Sequence, residues 1–192
     1  PTLKDCQAYL EKAIRVYSSN DEEIEAMDRH DACAILIRAG ELFHEEYDKD
    51  SIELLIRQAS VIYKAHQYRQ AWGQCNLALS ICESSTCAAC QELLPQAYSL
   101  HADLAVKLAD YQTAIKAYHT AIDMWEKQPH PPYEDIVEAY NHLANVYRKN
   151  SQYTEALDNF RLAENRMDVH DIDNPELHAD ILNNIGIVYI NL

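Results

Sequence analysis

The stretch "DYQTAIKAYHTAI", residues 110–122, combines small and aromatic residues at helical spacing. Ala114, Tyr118 and Ala121 fall on one face of a helix, because residues three or four apart are neighbours on a helix surface. Buried apolar surface stabilises a fold by about 25 cal/mol per Å², so larger aliphatic side chains would serve an isolated amphipathic helix better. Methyl-sized side chains on both sides of an aromatic ring therefore predict a second helix that approaches closely.

This pattern of small and aromatic residues recurs twice in the chain. It is found in "QYRQAWGQCNLAL", residues 67–79, and in "QYTEALDNFRLAE", residues 152–164. The leading tyrosines are Tyr68, Tyr111 and Tyr153, so successive copies lie 43 and 42 residues apart. Self-similarity at a fixed interval of this size is typical of a repeat array, in which each helix pair packs on the next.

A second pattern of small residues precedes each tyrosine at a constant distance. The small residues are Ala59, Ala102 and Ala144, and Gly186 follows Ala144 after a further 42 residues. We therefore expect each unit to contain an upstream helix A and a downstream helix B. Three glycines in 192 residues and the absence of alternating β-branched strands agree with an all-α chain.

These residues resemble the tetratricopeptide repeat (TPR) family, and the match covers about residues 51–192. The family's sequence pattern is best met in the third unit, by Tyr140, Leu143, Ala144, Tyr147, Ala156 and Phe160, and in the last unit by Leu182, Ile185, Gly186 and Tyr189. The period exceeds the ~34 residues of the common repeat and resembles the kinesin-light-chain type. The resemblance implies a right-handed α-solenoid of antiparallel helix pairs.

Four repeat-like units and an atypical first segment follow from this register. We expect residues 1–50 to form a degenerate helix pair that caps the stack, because terminal repeats are usually atypical. The units then cover about 51–90, 91–132 and 133–173, with a partial repeat at 174–192. Pro95 is expected in the first turn of a helix that begins near residue 94, where proline is tolerated.

The last unit has a helix A signature without a following helix B in the sequence. The spacing would place its helix B tyrosine three residues past Leu192. We therefore expect these 192 residues to be a fragment of a longer array, in which the fragment's Ile185, Val188, Tyr189 and Leu192 have lost part of the cover that the next helix B would give. Self-association through this helix is the predicted consequence.

Charge and hydropathy restrict the classes of partner. The net charge is −15, which disfavours nucleic acid because its phosphates would be repelled. Residues 21–53 alone hold twelve acidic and three basic side chains, which form either a solvated helix face or a docking surface for a basic partner. No apolar run approaches the ~18 residues of a membrane span, so a cytoplasmic location is expected.

Four cysteines lie close together in "CNLALSICESSTCAAC", residues 75–90. Cys87 and Cys90 are spaced like half of a zinc site, but Cys75 and Cys82 are poorly placed to complete it. A disulfide among Cys82, Cys87 and Cys90 is an alternative, as are free thiols in a reducing compartment. We expect no metal and no cofactor.

No constellation of residues points to catalysis. The nine histidines are scattered, no nucleophile lies in a recognisable elbow, and no glycine-rich phosphate loop exists. We therefore expect a non-enzymatic protein.

The remaining candidate is the concave surface that the A helices of such a stack line. Positions that match the family's groove define the groove residues: Tyr63, Lys64, Asp103, Lys107, Asn141, Asn145, Arg148, Lys149, Asn183 and Ile187. Asparagines there can pair with a peptide's backbone donor and acceptor at once, although they could equally well only solvate an exposed helix face.

Two functions are compatible with this groove. The first is a scaffold or adaptor that binds a peptide or helical segment of another protein. The alternative is a ligand- or peptide-sensing domain of a larger regulatory protein. An effector domain in the parent polypeptide would favour sensing, and further repeats would favour scaffolding.

Overall fold

The computed structural model describes residues 49–84 and 88–191, and all of the described secondary structure is helical. The seven helices are α1 (Lys49–Lys64), α2 (Tyr68–Ser84), α3 (Ala88–Lys107), α4 (Tyr111–Glu126), α5 (Tyr133–Lys149), α6 (Tyr153–Val169) and α7 (Pro175–Asn191). The predicted capping pair at 1–50 lies almost entirely outside these ranges, as does Cys87. None of these helices is long and apolar enough to cross a bilayer.

The helix boundaries follow the predicted register, with one correction. The three B helices begin at the three leading tyrosines. Helix α3, however, begins at Ala88 and contains Pro95 in its interior, so the expectation of a first-turn proline was wrong. Buried Cys90, Leu93 and Leu94 extend the apolar face upstream of Pro95. Their burial offsets the helical hydrogen bond that Pro95 cannot donate.

Each A helix is joined to its B helix by the same three-residue connection. The middle residue is His66, Ala109 or Ser151, and each has a φ of 60–61°, in the left-handed region. The third residue donates its backbone N–H back to the last turn of the A helix, as in Asp110 N to Ala105 O at 2.9 Å and Gln152 N to Tyr147 O at 2.9 Å. This is the Schellman pattern of a helix end.

The chain divides into two compact units between Leu100 and His101, within α3. In the first unit, α1 packs against α2. In the second unit, α4 packs against α5, α5 against α6, and α6 against α7, with a smaller contact between α5 and α7.

Alanines lie on the buried faces of the B helices. Ala114, Ala121, Ala156 and Ala163 are each 0% exposed, which confirms the prediction that these methyl groups are buried. Phe160 and Tyr118, the aromatic residues between them, are also fully buried. In the second unit, Ala144 of α5 packs in one apolar cluster with Ala156, Phe160 and Ala163 of α6.

The last helix turns a different side to the core than the sequence indicated. Val188 was expected to lose cover, but it is 0% exposed and packs with Ile181 in the α6 cluster. Tyr189, in contrast, is 54% exposed, as the register predicted. The core side of α7 is therefore the stripe that contains Ile181 and Val188.

Candidate interaction groove

Two of the groove residues belong to the first unit and eight to the second. Tyr63 is partly buried on α1, with its ring centroid 5.6 Å from that of Tyr68, and Lys64 is exposed at the end of α1. The remaining residues lie on the A helices of the second unit, which are the end of α3, α5 and α7.

Asn141 of α5 makes hydrogen bonds that connect α5 to α7. It is 2% exposed, and its Nδ2 donates to Asp180 Oδ2 at 2.9 Å. Buried Asn184 donates to the same carboxylate oxygen at 3.2 Å, and its Nδ2 lies 3.4 Å from Asn141 Oδ1. This network satisfies polar groups that would otherwise be costly to bury. The Asn141 side chain is therefore largely committed to holding the two A helices together.

Asn145 positions the neighbouring arginine. Its Nδ2 donates to the carbonyl oxygen of Asn141 at 3.1 Å, and its Oδ1 accepts from Arg148 Nη2 at 2.9 Å and Nε at 3.3 Å. Asn145 and Arg148 are partly buried, whereas Lys149 is exposed. These two hydrogen bonds orient the guanidinium of Arg148.

The last two groove residues lie on α7. Asn183 is exposed and Ile187 is partly buried. Asn184, rather than Asn183, makes the buried contact with α5. Both asparagines stand side by side in the sequence, so only the rotation of α7 about its axis decides which one faces the protein.

Asp103 joins three helices of the second unit. Its carboxylate accepts a hydrogen bond from the Tyr118 hydroxyl of α4 and lies 3.6 Å from His142 Nδ1 of α5. The Tyr118 and His142 rings are 6.1 Å apart. Burial raises the pKa of Asp103 above its ordinary value, although His142, Tyr118 and Lys107 each act to lower it.

A cleft of about 410 Å³ lies between α5 and the start of α7. The acidic cleft, as we name it, is lined by Glu134, Asp135, Glu138, Asn141, His142, Asn174, Glu176, Leu177 and Asp180. Burial, and secondarily the charge of Glu134, raise the pKa of Asp135. Five carboxyl groups around one cleft produce a negative potential that a cationic group would relieve.

Groove residues at the opposite end of α5 are basic. Arg148 and Lys149 lie in its last turn, whereas Glu134 and Asp135 lie in its first. Lys107 occupies the last turn of α3 and Glu176 the first turn of α7. Helices α5 and α7 therefore present carboxylates at their N-terminal ends, and α3 and α5 present cations at their C-terminal ends, as helix dipoles favour.

The described cysteines are thiols in the first unit. Cys75, Cys82 and Cys90 are buried and form no disulfide, and Cys75 Sγ donates to the carbonyl oxygen of Ala97 at 3.4 Å. Burial, with smaller effects of Cys90 and Glu83, raises the pKa of Cys82 to about 11. No group of three or more His, Cys, Asp or Glu side chains within 49–84 and 88–191 is arranged to hold a metal ion.

Comparison with known proteins identifies the repeat. The tetratricopeptide repeat family model matches residues 93–168. No curated protein sequence matches the chain.

Several solved structures share the fold at low sequence identity. BtubC (BKLC) from P. vanneervenii is 19% identical with a TM-score of 0.62, over 100% of this chain and 67% of that one. The apo form of RapI is 13% identical with a TM-score of 0.78, over 97% of this chain and 64% of that one. The TPR-like repeats of a putative kinesin light chain from Podosopora anserina are 12% identical with a TM-score of 0.74, over 96% and 85%. The chain thus spans about two thirds of the first two relatives. Residues 93–168 are therefore tetratricopeptide repeats, and the chain has the all-α solenoid fold of that family.

Proposed function

We propose that this chain is a non-enzymatic, cytoplasmic protein–protein interaction module, a scaffold or adaptor that binds a peptide or helical segment along the A helices of its second unit. The observation that carries the proposal is the acidic cleft, which lies between α5 and the start of α7 and includes the groove residue Asn141. The buried thiols of Cys82 and Cys90, which form no disulfide, support a reducing compartment such as the cytoplasm.

The charge of the cleft favours a segment that carries Lys or Arg. A basic side chain can enter a cleft of this volume with its alkyl stem against Leu177 and its charge near Glu138 and Glu176. Such a contact is stronger in a partly buried cleft than at an open surface, because the effective dielectric constant is lower. The net charge of −15 also attracts a basic partner at long range.

Polar groove residues outside the cleft can hold the backbone of the same segment. Asn183 presents an exposed amide, which can donate to and accept from one peptide unit. Arg148, oriented by Asn145, can donate to a carbonyl or carboxylate of the partner. Asn141 contributes indirectly, because it fixes the spacing of α5 and α7.

Matched charge reversals test this function. Peptides of about ten residues that differ only in a central Lys, Arg or Glu would be titrated into the protein by calorimetry at low and high salt. We expect the basic peptides to bind, with affinity that falls as salt rises. Glu138→Lys in the cleft should weaken that binding by about tenfold or more.

Asp158→Lys is the control, because it makes the same change in net charge at an exposed position of α6 outside the cleft. It should leave the affinity of the basic peptides nearly unchanged. Equal binding of Lys and Glu peptides, or equal losses in the two variants, would contradict the proposal.

The volume of the cleft favours a second candidate, a sensing domain of a larger regulatory protein. About 410 Å³ lies within the range of small-molecule sites. Free arginine added in place of the basic peptide separates the two candidates. Binding as tight as that of the peptide would favour sensing, and binding far weaker would favour the interaction module.

A further inference from the structure

One face of α5 carries opposite charges at its two ends. Its residues follow the alternating spacing of four and three that keeps side chains on one side of a helix. From the start to the end of the helix they are Glu134, Glu138, Asn141, Asn145 and Arg148, which we name the α5 stripe. Two carboxylates, two amides and one guanidinium therefore follow one another along about 21 Å of helix.

Helix α7 repeats only the acidic part of the α5 stripe. The residues 42 positions after its two glutamates are Glu176 and Asp180, which also line the acidic cleft. The residue 42 positions after Arg148 is Ile190. The negative end of the groove is therefore built by two helices, whereas the guanidinium at the other end comes from α5 alone.

Arg148 has no carboxylate partner among the residues that the structure describes. Its guanidinium donates instead to the neutral Oδ1 of Asn145. Arg166 on α6, in contrast, pairs with Glu126 at 2.6 Å. In a protein of net charge −15, a partly buried, oriented guanidinium without a carboxylate partner is suited to an acidic group of a ligand.

The contact with Asn145 leaves the outer end of the Arg148 guanidinium available. Arginine has five N–H donors, of which Nε carries one and each Nη carries two. Asn145 accepts from Nε and from Nη2, and Arg148 has no other acceptor within the described ranges. Nη1 and the second hydrogen of Nη2 form the fork that a carboxylate can accept with both oxygens.

Resting on the function proposed above, we propose that the bound segment is extended and carries two opposite charges. A Lys or Arg of the segment lies in the acidic cleft, and the carboxylate of an Asp or Glu binds Arg148. Glu138 and Arg148 are ten residues apart on α5, about 15 Å along the helix. An extended segment covers that distance in about four to five residues. The partner is therefore recognised by the spacing of two charges as well as by its basic residue.

Three peptides of about twelve residues test this spacing. The spaced Lys–Glu peptide has a Glu five positions after its Lys, the Lys–Gln peptide has Gln there, and the adjacent peptide has the composition of the first with Glu directly after Lys. Both ends are capped, and at least three residues follow the Glu, so no terminal carboxylate competes for Arg148.

Calorimetry at low salt compares the three peptides on the full chain. We expect the spaced Lys–Glu peptide to bind about fivefold more tightly than the Lys–Gln peptide. Elsewhere on a protein of net charge −15 an added Glu would weaken binding, so a gain points to a local cation. The adjacent peptide should show no gain, because its Glu lies too far from Arg148.

Arg148→Gln tests the location of the second contact and should abolish the difference between the spaced Lys–Glu and Lys–Gln peptides. Lys116→Gln makes the same change in net charge at an exposed position of α4 and should keep the difference. Arg148→Glu should reverse the preference, so that a spaced Lys–Lys peptide binds this variant more tightly than the spaced Lys–Glu peptide does.

The outcomes separate this proposal from the proposed function. The proposal is overturned and the proposed function stands if the Lys–Gln peptide binds and the spaced Glu gives no gain. The same holds if the adjacent peptide gains equally, or if the gain survives in Arg148→Gln. If neither the Lys–Glu nor the Lys–Gln peptide binds, both are contradicted.

Discussion

At the residue scale, alanine sets the distance between helices. Ala114 and Ala121 are fully buried on either side of Tyr118, and Ala156 and Ala163 on either side of Phe160. Helix axes approach most closely where the contact side chains are smallest. The sequence alone could predict this part of the core, because spacing along one helix determines which residues share a face.

Ala121→Phe should destabilise the fold by about 1–3 kcal/mol or more, because no space exists for the ring at a fully buried contact. Lys116→Phe, at an exposed position of the same helix, is the control and should change the free energy of unfolding by less than about 0.5 kcal/mol. Urea denaturation monitored by circular dichroism measures both. Equal stability of Ala121→Phe and the wild type would mean that the buried face of α4 is assigned wrongly.

At the element scale, single residues predicted the start and the rotation of a helix less well than the packing of the whole helix does. Pro95 suggested a helix start, but the buried residues upstream of it extended α3 back to Ala88. Asn183 matched the groove register, yet its neighbour Asn184 faces α5, because the rotation of α7 is set by packing of Ile181 and Val188. The spacing of residues along the sequence does not determine that rotation.

The junction of α3, α4 and α5 should make stability depend on pH through Asp103. Its pKa in the folded protein lies above the ordinary value of 3.8, chiefly because of burial. The stability that this group contributes is therefore greatest below that ordinary value and falls as the pH rises through the raised pKa. Asp103→Asn removes the fall, so the variant should gain stability relative to the wild type as the pH rises from the ordinary value of 3.8 through the raised pKa.

Urea denaturation across that range measures the difference. The same measurement is made on the wild type and Asp103→Asn after His142→Gln is added to each. This controls for titration of the imidazole 3.6 Å away from Asp103. A difference that stays constant with pH, or one that favours the wild type as the pH rises, would show that ionised Asp103 is not penalised in the fold.

At the scale of the whole molecule, the sequence predicted the repeat but did not predict the acidic cleft. Tyrosine and alanine spacing predicted the order of the helices, because each unit repeats the same local pattern. The cleft combines the first turns of α5 and α7, around Glu134 and Glu176, which are far apart in the chain. The charge pattern had drawn attention instead to residues 21–53, which lie mostly outside the described part of the protein.

The three-residue connections make the repeat unit exchangeable. The A helices α1, α3 and α5 each end in lysine, and each is followed by a connection with one left-handed residue and by a B helix that begins at tyrosine. Deleting Tyr111–Gln152 would leave Asp110 followed by Tyr153, which restores that joint between α3 and α6. A gene could therefore lose or duplicate such a module without redesigning the bend.

We expect the shortened protein to remain helical and to melt cooperatively in circular dichroism. Deleting Thr113–Gln152 instead would turn the face of the joined helix by about 200° and should abolish the cooperative transition. If both shortened proteins melted alike, the three-residue connection would not determine the register of the B helix that follows it. Otherwise, the length of such a chain can change in whole modules, and each added module brings another stretch of exposed helical surface without a new folding problem.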